Sequence, residues 1–383
     1  MNMSFLSVSS AHGGGRAPSW SYYFRGRVAL FHALRAMGVG RGDEVALQAF
    51  TCVAVPEAIL ATGARPIWVD IVSGGVNMDP RSLAGRITPR TKAVVVQHTF
   101  GIPADVPALA EAIAGSRARL IEDCCHSFGS ALAGRELGTF GCAAFWSFEW
   151  GKPVIAGVGG ALMVNDPELA TAIDATYLSD FRGPSIAREA ILRAQALAHR
   201  MLYSPRRYWA VRRAYRSVSR AGIITPSFNE LPQLGYPGPD YSLRMSSGCA
   251  SRLPRALARA RGEISVRREQ AALYLAGIER GAAGRATVPS GSREVLSRFP
   301  LLVSNKTALL AAFARANLEL ADFFSTPVHP LDGNGLRAVG FEVGSCPVAE
   351  NTAKHLVSLP LGGKVSRTFQ EAAVRLVNEH GKC

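Results

Sequence analysis

The alternation of strand-like and helix-like runs along the first two-thirds of the chain restricts its fold more than any other feature. Arg27 to Met37 carries apolar residues at helical spacing, Asp43 to Gln48 reads as a strand, and Val53 to Thr62 as a helix. Pro66 to Asp70 is a short strand, and Lys92 to Gln97, with its valine triplet, is a buried one. Pro107 to Ala114 is helical, and Arg119 to Glu122 is a strand that ends on acids. Ala143 to Phe148 and Gly160 to Val164 complete the set. Such alternation predicts an α/β domain built on a mostly parallel central sheet. An arginine-rich helical segment (182–220) and a Pro/Gly-rich linker from Pro226 to Pro239 follow. Beyond them comes a smaller C-terminal α+β part, with helices near Pro254–Ile278, Lys306–Ala316 and Phe369–Glu379. The 383 residues are enough for two domains, expected as a large one over 1–235 and a small one over 236–383.

Charge narrows the partners. The formal net charge is +14, and it is unevenly spread: ten arginines lie between Arg182 and Arg220 against a single acid, Glu189. That stretch lacks the aromatic signature of RNA-binding sheets and any DNA-binding motif, so no nucleic-acid partner is expected. Ile186, Ile191, Leu192 and Leu197, then Met201, Leu202, Tyr203, Tyr208 and Trp209, are interleaved with the arginines. Three readings stand: a solvated basic helix pair, an anionic membrane surface, or a funnel for a diphosphate-bearing substrate. No apolar run is long enough to span a bilayer, and Met1 to Arg16 shows no basic-then-apolar signal pattern. The seven cysteines have no CxxC or Cys/His ligand spacing. Reduced thiols, no metal site and a cytoplasmic location are expected, with peripheral contact to the inner membrane face.

In open α/β sheets, ligands sit at the carboxyl ends of the strands. The chemically loaded residues fall there. Leu120 to His126 reads Leu-Ile-Glu-Asp-Cys-Cys-His, placing Asp123 at a strand end and His126 three residues on. Phe145 to Lys152 reads Phe-Trp-Ser-Phe-Glu-Trp-Gly-Lys, and a Gly-Val-Gly-Gly turn follows at 157–160. Phe24 to Leu30 opens a helix through Gly26, where unbonded amides can hold a phosphate. A buried aldehyde cofactor needs a lysine amine, a carboxylate that keeps a pyridine nitrogen protonated, and an anion cradle. Singly, each feature has a plain structural reading, as a helix cap, a solvent-facing lysine or a satisfied histidine. Their combined order points to pyridoxal phosphate (PLP), with Lys152 carrying it as a Schiff base.

Those residues resemble the DegT/DnrJ/EryC1/StrS family of sugar aminotransferases, of fold type I. The likeness is nearly gapless from Gly26 to Asp166. It includes Gly26–Leu34, Gly38–Val45, Ala61–Asp70, Ile87–Ala93, His98–Asp105, Glu122–His126 and Ser147–Lys152. Leu243-Arg-Met-Ser246 and Ser358-Leu-Pro-Leu361 continue it in the C-terminal part. The resemblance implies catalytic roles for Lys152 and Asp123. It implies cofactor contacts from Gly26, Arg27, Cys52, His126, Ser147 and Ser242, and places Phe50, His98, Arg244 and His329 on the substrate side. It also implies a homodimer with shared active sites, glutamate or glutamine as amino donor, and a nucleotide- or diphosphate-linked keto sugar as acceptor.

The chain departs from the family pattern in places. Arg27 stands where a hydroxyl residue is usual; it either adds charge to the phosphate or points away and leaves the amides to bind it. Cys52 occupies the place of a stacking aromatic, which shifts that task to Phe50 or His126. Ser242 replaces an asparagine and Val158 an acid. The lead-in before the phosphate loop is a shortened helix. Two other readings remain: a PLP-dependent sugar dehydratase, against which the presence of Lys152 speaks, and a PLP-binding regulatory protein without turnover.

Overall fold

The computed structural model describes residues 18–222, 224–225 and 237–381. The stretch from Met1 to Arg16 and the expected domain boundary after residue 235 lie outside the described residues, as does most of the linker. The centre of the molecule is a seven-stranded sheet. Its order is Ser19–Tyr23, Gly160–Val164, Ala143–Ser147, Arg119–Asp123, Thr91–Gln97, Glu44–Gln48 and Arg65–Val69. The last five run parallel to one another, while Gly160–Val164 is antiparallel to both of its neighbours. This is the predicted α/β arrangement, and each strand-like run named above is a strand within a residue or two of its expected limits.

Strand alternation sorts the side chains into layers. Val45, Leu47, Ala93, Val95, Ala143 and Phe145 face one core, shared with the helix Gly26–Ala36. The residues between them face the other side. Ala46, Val94 and Val96 pack toward helix Val106–Ala112, and Ala144 and Trp146 toward helix Ser247–Gly262. Burial on both faces explains why these strands are nearly continuous hydrophobic runs. It also leaves only the strand ends open to ligands.

Four elements escape a reading of periodicity. Ser19–Tyr23 is an edge strand where a shortened helix was expected, because its pairing with Gly160–Val164 overrides weak local propensity. Helix Pro167–Asp180 follows it around the same edge. Arg298–Leu302 and Leu356–Pro360 form an antiparallel pair in the C-terminal part. The expected helix near Pro254–Ile278 is two helices, Ser247–Gly262 and Ile264–Gly277. The first of these packs Cys249, Leu253 and Leu257 on the large sheet beside Trp146 and Met163. The basic segment forms the expected helix pair, Ile186–Leu202 and Tyr208–Arg220.

Three histidines are built into this packing as neutral groups. His32 lies between the Tyr23 hydroxyl (2.6 Å) and Thr176 Oγ1 (2.8 Å), and burial lowers it from 6.5 to about 4. Burial lowers His199 and His329 to about 4 as well, with Lys364 adding to the effect at His199. Because these folded-state values lie below the unfolded value, the unfolded chain takes up protons first as pH falls. Stability is complete above about pH 6.5 and declines on the way to pH 4. Glu44 behaves differently. Burial opposes its charge, but Thr88, Arg65 and Arg90 outweigh that and hold it at about 2, so its contribution is lost only at lower pH. Urea unfolding should therefore show a native state weaker by roughly 2–6 kcal/mol at about pH 5 than at about pH 7.5. Equal midpoints at the two pH values would contradict this account.

Candidate active site

Neighbouring acids at one strand end point to opposite sides of the sheet. Glu122 turns inward and accepts hydrogen bonds from the amides of Gly138 (2.7 Å), Phe140 (2.6 Å) and Gly141 (2.8 Å) and from His98 Nε2 (3.1 Å). His98 Nδ1 accepts from the Ala104 amide (3.0 Å), and the ring is fully enclosed. No atom of His98 is left for a substrate, which corrects its expected placement: it is a brace. Cys124 lies within ligand reach of the same pair, but burial pushes its thiol well up, and the carboxylate is already ringed by donors.

Asp123 points the other way. Its carboxylate is buried and accepts a hydrogen bond from the Cys125 amide (3.0 Å). On the same side, Lys152 Nζ lies 3.0 Å from His126 Nε2. His126 Nδ1 accepts from the Phe100 amide (3.3 Å). Burial, then the nearby Lys152 and Arg298, push His126 well below its usual range and keep it neutral. Its ring is stacked near Phe100 (6.0 Å) and Phe324 (6.3 Å). Cys52 and Cys125 share this electrostatic neighbourhood. Burial raises both thiols, and the field of Lys152 only partly offsets it.

A third component lies across the strand ends. Helix Gly26–Ala36 begins with the Val28 and Ala29 amides both bonding to Arg25 O, so the Gly26 and Arg27 amides precede the hydrogen-bonded ladder. The helix end is pressed against the sheet. A Cβ on Gly26 would stand 3.2 Å from Ser147 Cβ, and one on Gly160 would fall 2.4 Å from the Gly26 nitrogen. Only glycines allow this approach, which brings the helix start beside the half-buried Ser147.

Several expected residues sit otherwise. The Arg27 guanidinium is buried and ion-paired with Glu57, so its charge is balanced within the protein rather than offered to a phosphate. Arg25 is likewise paired, with Glu149 (2.7 Å) and Asp240 (3.2 Å). Phe50 is fully enclosed with positive φ (67°) and packs edge-on against Phe324 (5.2 Å), so it presents no face for stacking, and of the two expected stacking rings only the half-buried His126 remains. His329 is buried, pairs in register with Cys52, and accepts at Nδ1 from the Ser325 amide (3.2 Å). The Ser242 hydroxyl turns back to the Pro239 carbonyl (3.3 Å). Arg244 bridges to Tyr23 and lines a cleft of about 1250 Å³ at the sheet edge, with Tyr22, Asp174 and Glu189. Sequence reasoning missed Glu57, Glu149, Phe100 and Phe324. No local signal marks them, because their partners lie 26 to 198 positions away in the chain.

A lysine amine, a strand-end carboxylate and a helix N-terminus thus share one side of the sheet. This set matches what PLP requires: an amine for its aldehyde, an acceptor for its ring N–H and an anion seat for its phosphate. Comparison with known proteins agrees. Residues 25–378 match the model of the DegT/DnrJ/EryC1/StrS aminotransferase family. The UDP-N-acetyl-3-dehydro-alpha-D-glucosamine 3-aminotransferase of Acidithiobacillus ferrooxidans is 39% identical over 160 residues, 42% of each chain. The chain thus spans less than half of that relative's length. The UDP-2-acetamido-2-deoxy-3-oxo-D-glucuronate aminotransferase of Pseudomonas aeruginosa is 28% identical over 340 residues, 88% of this chain and 79% of the relative. A crystal structure of a DegT DnrJ EryC1 StrS aminotransferase from Brucella abortus superposes with a TM-score of 0.71 at 22% identity, covering 95% of this chain and 86% of that one. The fold is therefore fold type I, and the chain belongs to the DegT/DnrJ/EryC1/StrS aminotransferase family.

Proposed function

We propose that this chain is a PLP-dependent aminotransferase that moves an amino group from glutamate or glutamine to a keto sugar carried on a nucleotide or other diphosphate. The observation that carries the reading is the Lys152 amine against His126, in the same neighbourhood as the Asp123 carboxylate. Bound PLP supplies an aldehyde that accepts the amino group and a protonated ring that draws off electrons. Lys152 holds the cofactor and, once its Nζ is free, moves the proton at the substrate carbon that bears nitrogen. Asp123 holds the proton on the ring nitrogen. The amides of Gly26 and Arg27, with the Ser147 hydroxyl, hold the phosphate, and Cys52 lines its approach. His126 would face the bound cofactor, and its contact with Nζ orients the lysine.

The substrate class rests on the names of the two relatives above, both aminotransferases of UDP-linked keto sugars. Arg244 and His329 are proposed for the substrate side. A homodimer is part of this reading, with Ser242 serving the partner copy's site. So is a two-part organisation in which the large part runs through helix Ser247–Gly262. Among the described residues no helix is long and apolar enough to cross a membrane. The six described cysteines are free thiols, which fits a reducing cytoplasmic setting, and the arginine-rich pair suits peripheral contact with an anionic bilayer. A regulatory protein without turnover is the less favoured reading, because the matching family and the two relatives above are aminotransferases.

Two variants test the assignment. Lys152→Ala should abolish borohydride-fixable cofactor, and labelling at another lysine would remove Lys152 from its role. Asp123→Ala should retain part of the PLP binding yet lower transamination by several orders of magnitude. Turnover near that of the unmodified enzyme would show that the ring nitrogen is served by another group.

A further inference from the structure

Helix Ile186–Leu202 is anchored along one face. Leu192 is buried with Phe24, Val158 and Leu243. Gln195 exchanges two hydrogen bonds with the Thr225 backbone. Glu189 accepts from the amides of Ser247 (2.6 Å) and Gly248 (3.2 Å), and Arg188 pairs with Asp240 (2.6 Å). At 100° per residue, the opposite sector collects Ile186, Ile191, Leu197, Met201 and Leu202, with Ala187, Ala190, Ala194 and Ala198 between them. Every one of these residues is exposed, Ile186 at 91%, Met201 at 68% and Leu197 at 59%, and no polar residue interrupts the sector. A helix facing only water carries charge there.

Arginines surround this apolar face. Arg193 and Arg200 border one edge of it. Arg206 and Arg207 stand in the exposed connection, and Arg212, Arg213 and Arg216 follow on helix Tyr208–Arg220. Arg212 lies over the rings of Tyr208 (5.8 Å) and Trp209 (5.6 Å). The one acid of the stretch, Glu189, is committed to the amides of another helix.

We infer that the exposed face of helix Ile186–Leu202 docks in the interfacial plane of an anionic lipid bilayer, an inference that rests on the peripheral-contact reading given above and specifies its surface. Charge decides between occupants. Pairing this face with a second copy about a twofold axis brings two arginine-rich segments together, and the single acid of each, Glu189, is already committed to the Ser247 and Gly248 amides. An anionic bilayer answers both features, taking the apolar sector below the headgroups and the arginines among them. The docked helix touches the candidate site through His199, which stacks on Trp150 (4.3 Å), two residues before Lys152. Docking therefore holds that site close to the membrane surface.

The test is vesicle sedimentation of the full chain. Phosphatidylglycerol/phosphatidylethanolamine vesicles are compared with pure phosphatidylcholine, at low and high salt, for the unmodified protein and for Leu197→Glu/Met201→Glu. The unmodified protein should pellet with anionic vesicles at low salt and be released by high salt. The double variant should bind at least roughly tenfold more weakly, with an unchanged thermal melt. No pelleting at low salt overturns the inference, as does pelleting that the double variant leaves unaltered. A shift from dimer to monomer in the variant, with no vesicle binding by either protein, assigns the face to a second copy instead. Transamination is assayed separately. A protein that pellets as described but does not turn over supports this surface while removing the proposed activity, and an active protein that never pellets does the reverse.

Discussion

The buried carboxylate of Glu122 is the interaction on which the arrangement of the candidate site depends. It gathers three amides of the 138–141 turn and the His98 ring at the end of a central strand. A buried carboxylate without donors is costly, so the turn and the ring are fixed where they are. The next residue along the strand is Asp123, which strand geometry sends to the opposite side. A rigid carboxylate on one side thereby sets the position of the Asp123 carboxylate on the other. The same turn leads into the strand Ala143–Ser147, whose end delivers Ser147 and the lysine loop.

Charge balance around the helix Gly26–Ala36 has a second consequence. Arg25 and Arg27 flank its first amides, yet each guanidinium is matched by a glutamate within the protein. The arginines act as struts that fix the helix start to Glu57 and Glu149, which leaves the proposed anion seat to backbone amides and the nearby Ser147 hydroxyl. Such pairs carry large desolvation costs that their hydrogen bonds offset, so they define geometry more than they add stability.

The C-terminal part is more than a cover. The pairing of Val328–His329 with Thr51–Cys52 and the ring of Phe324 beside His126 bring it into the site. Arg298 joins Glu319 (2.7 Å) to Ser358, and Tyr203 of the inserted helix pair donates to the same glutamate (2.7 Å). Trp209 donates to the Leu318 carbonyl (2.8 Å). The basic helices are thus fixed where they meet, to the C-terminal part through Tyr203 and Trp209 and to the lysine loop through His199, which stacks on both Tyr203 and Trp150.

The sequence by itself determined the parallel sheet, the helix that opens at Gly26 and the cluster of Asp123, His126, Ser147 and Lys152 at strand ends. Those features follow from local periodicity and from residues close together in the chain. It determined the helical, basic character of residues 182–220 as well. Only the tertiary structure decided that His98 faces Glu122 rather than a ligand, because which side of a strand end is open depends on what packs there. The same holds for Arg27, whose charge is spent on Glu57 thirty positions away, and for Phe50, enclosed by Phe324. The edge strand Ser19–Tyr23 exists because a partner strand 141 residues on supplies its hydrogen bonds. The apolar sector of helix Ile186–Leu202 was readable as a pattern. Which of its faces is buried was not, since Leu192 and Ile191 are equally apolar neighbours and only the docking of Leu192 against Phe24 and Leu243 sends the other outward.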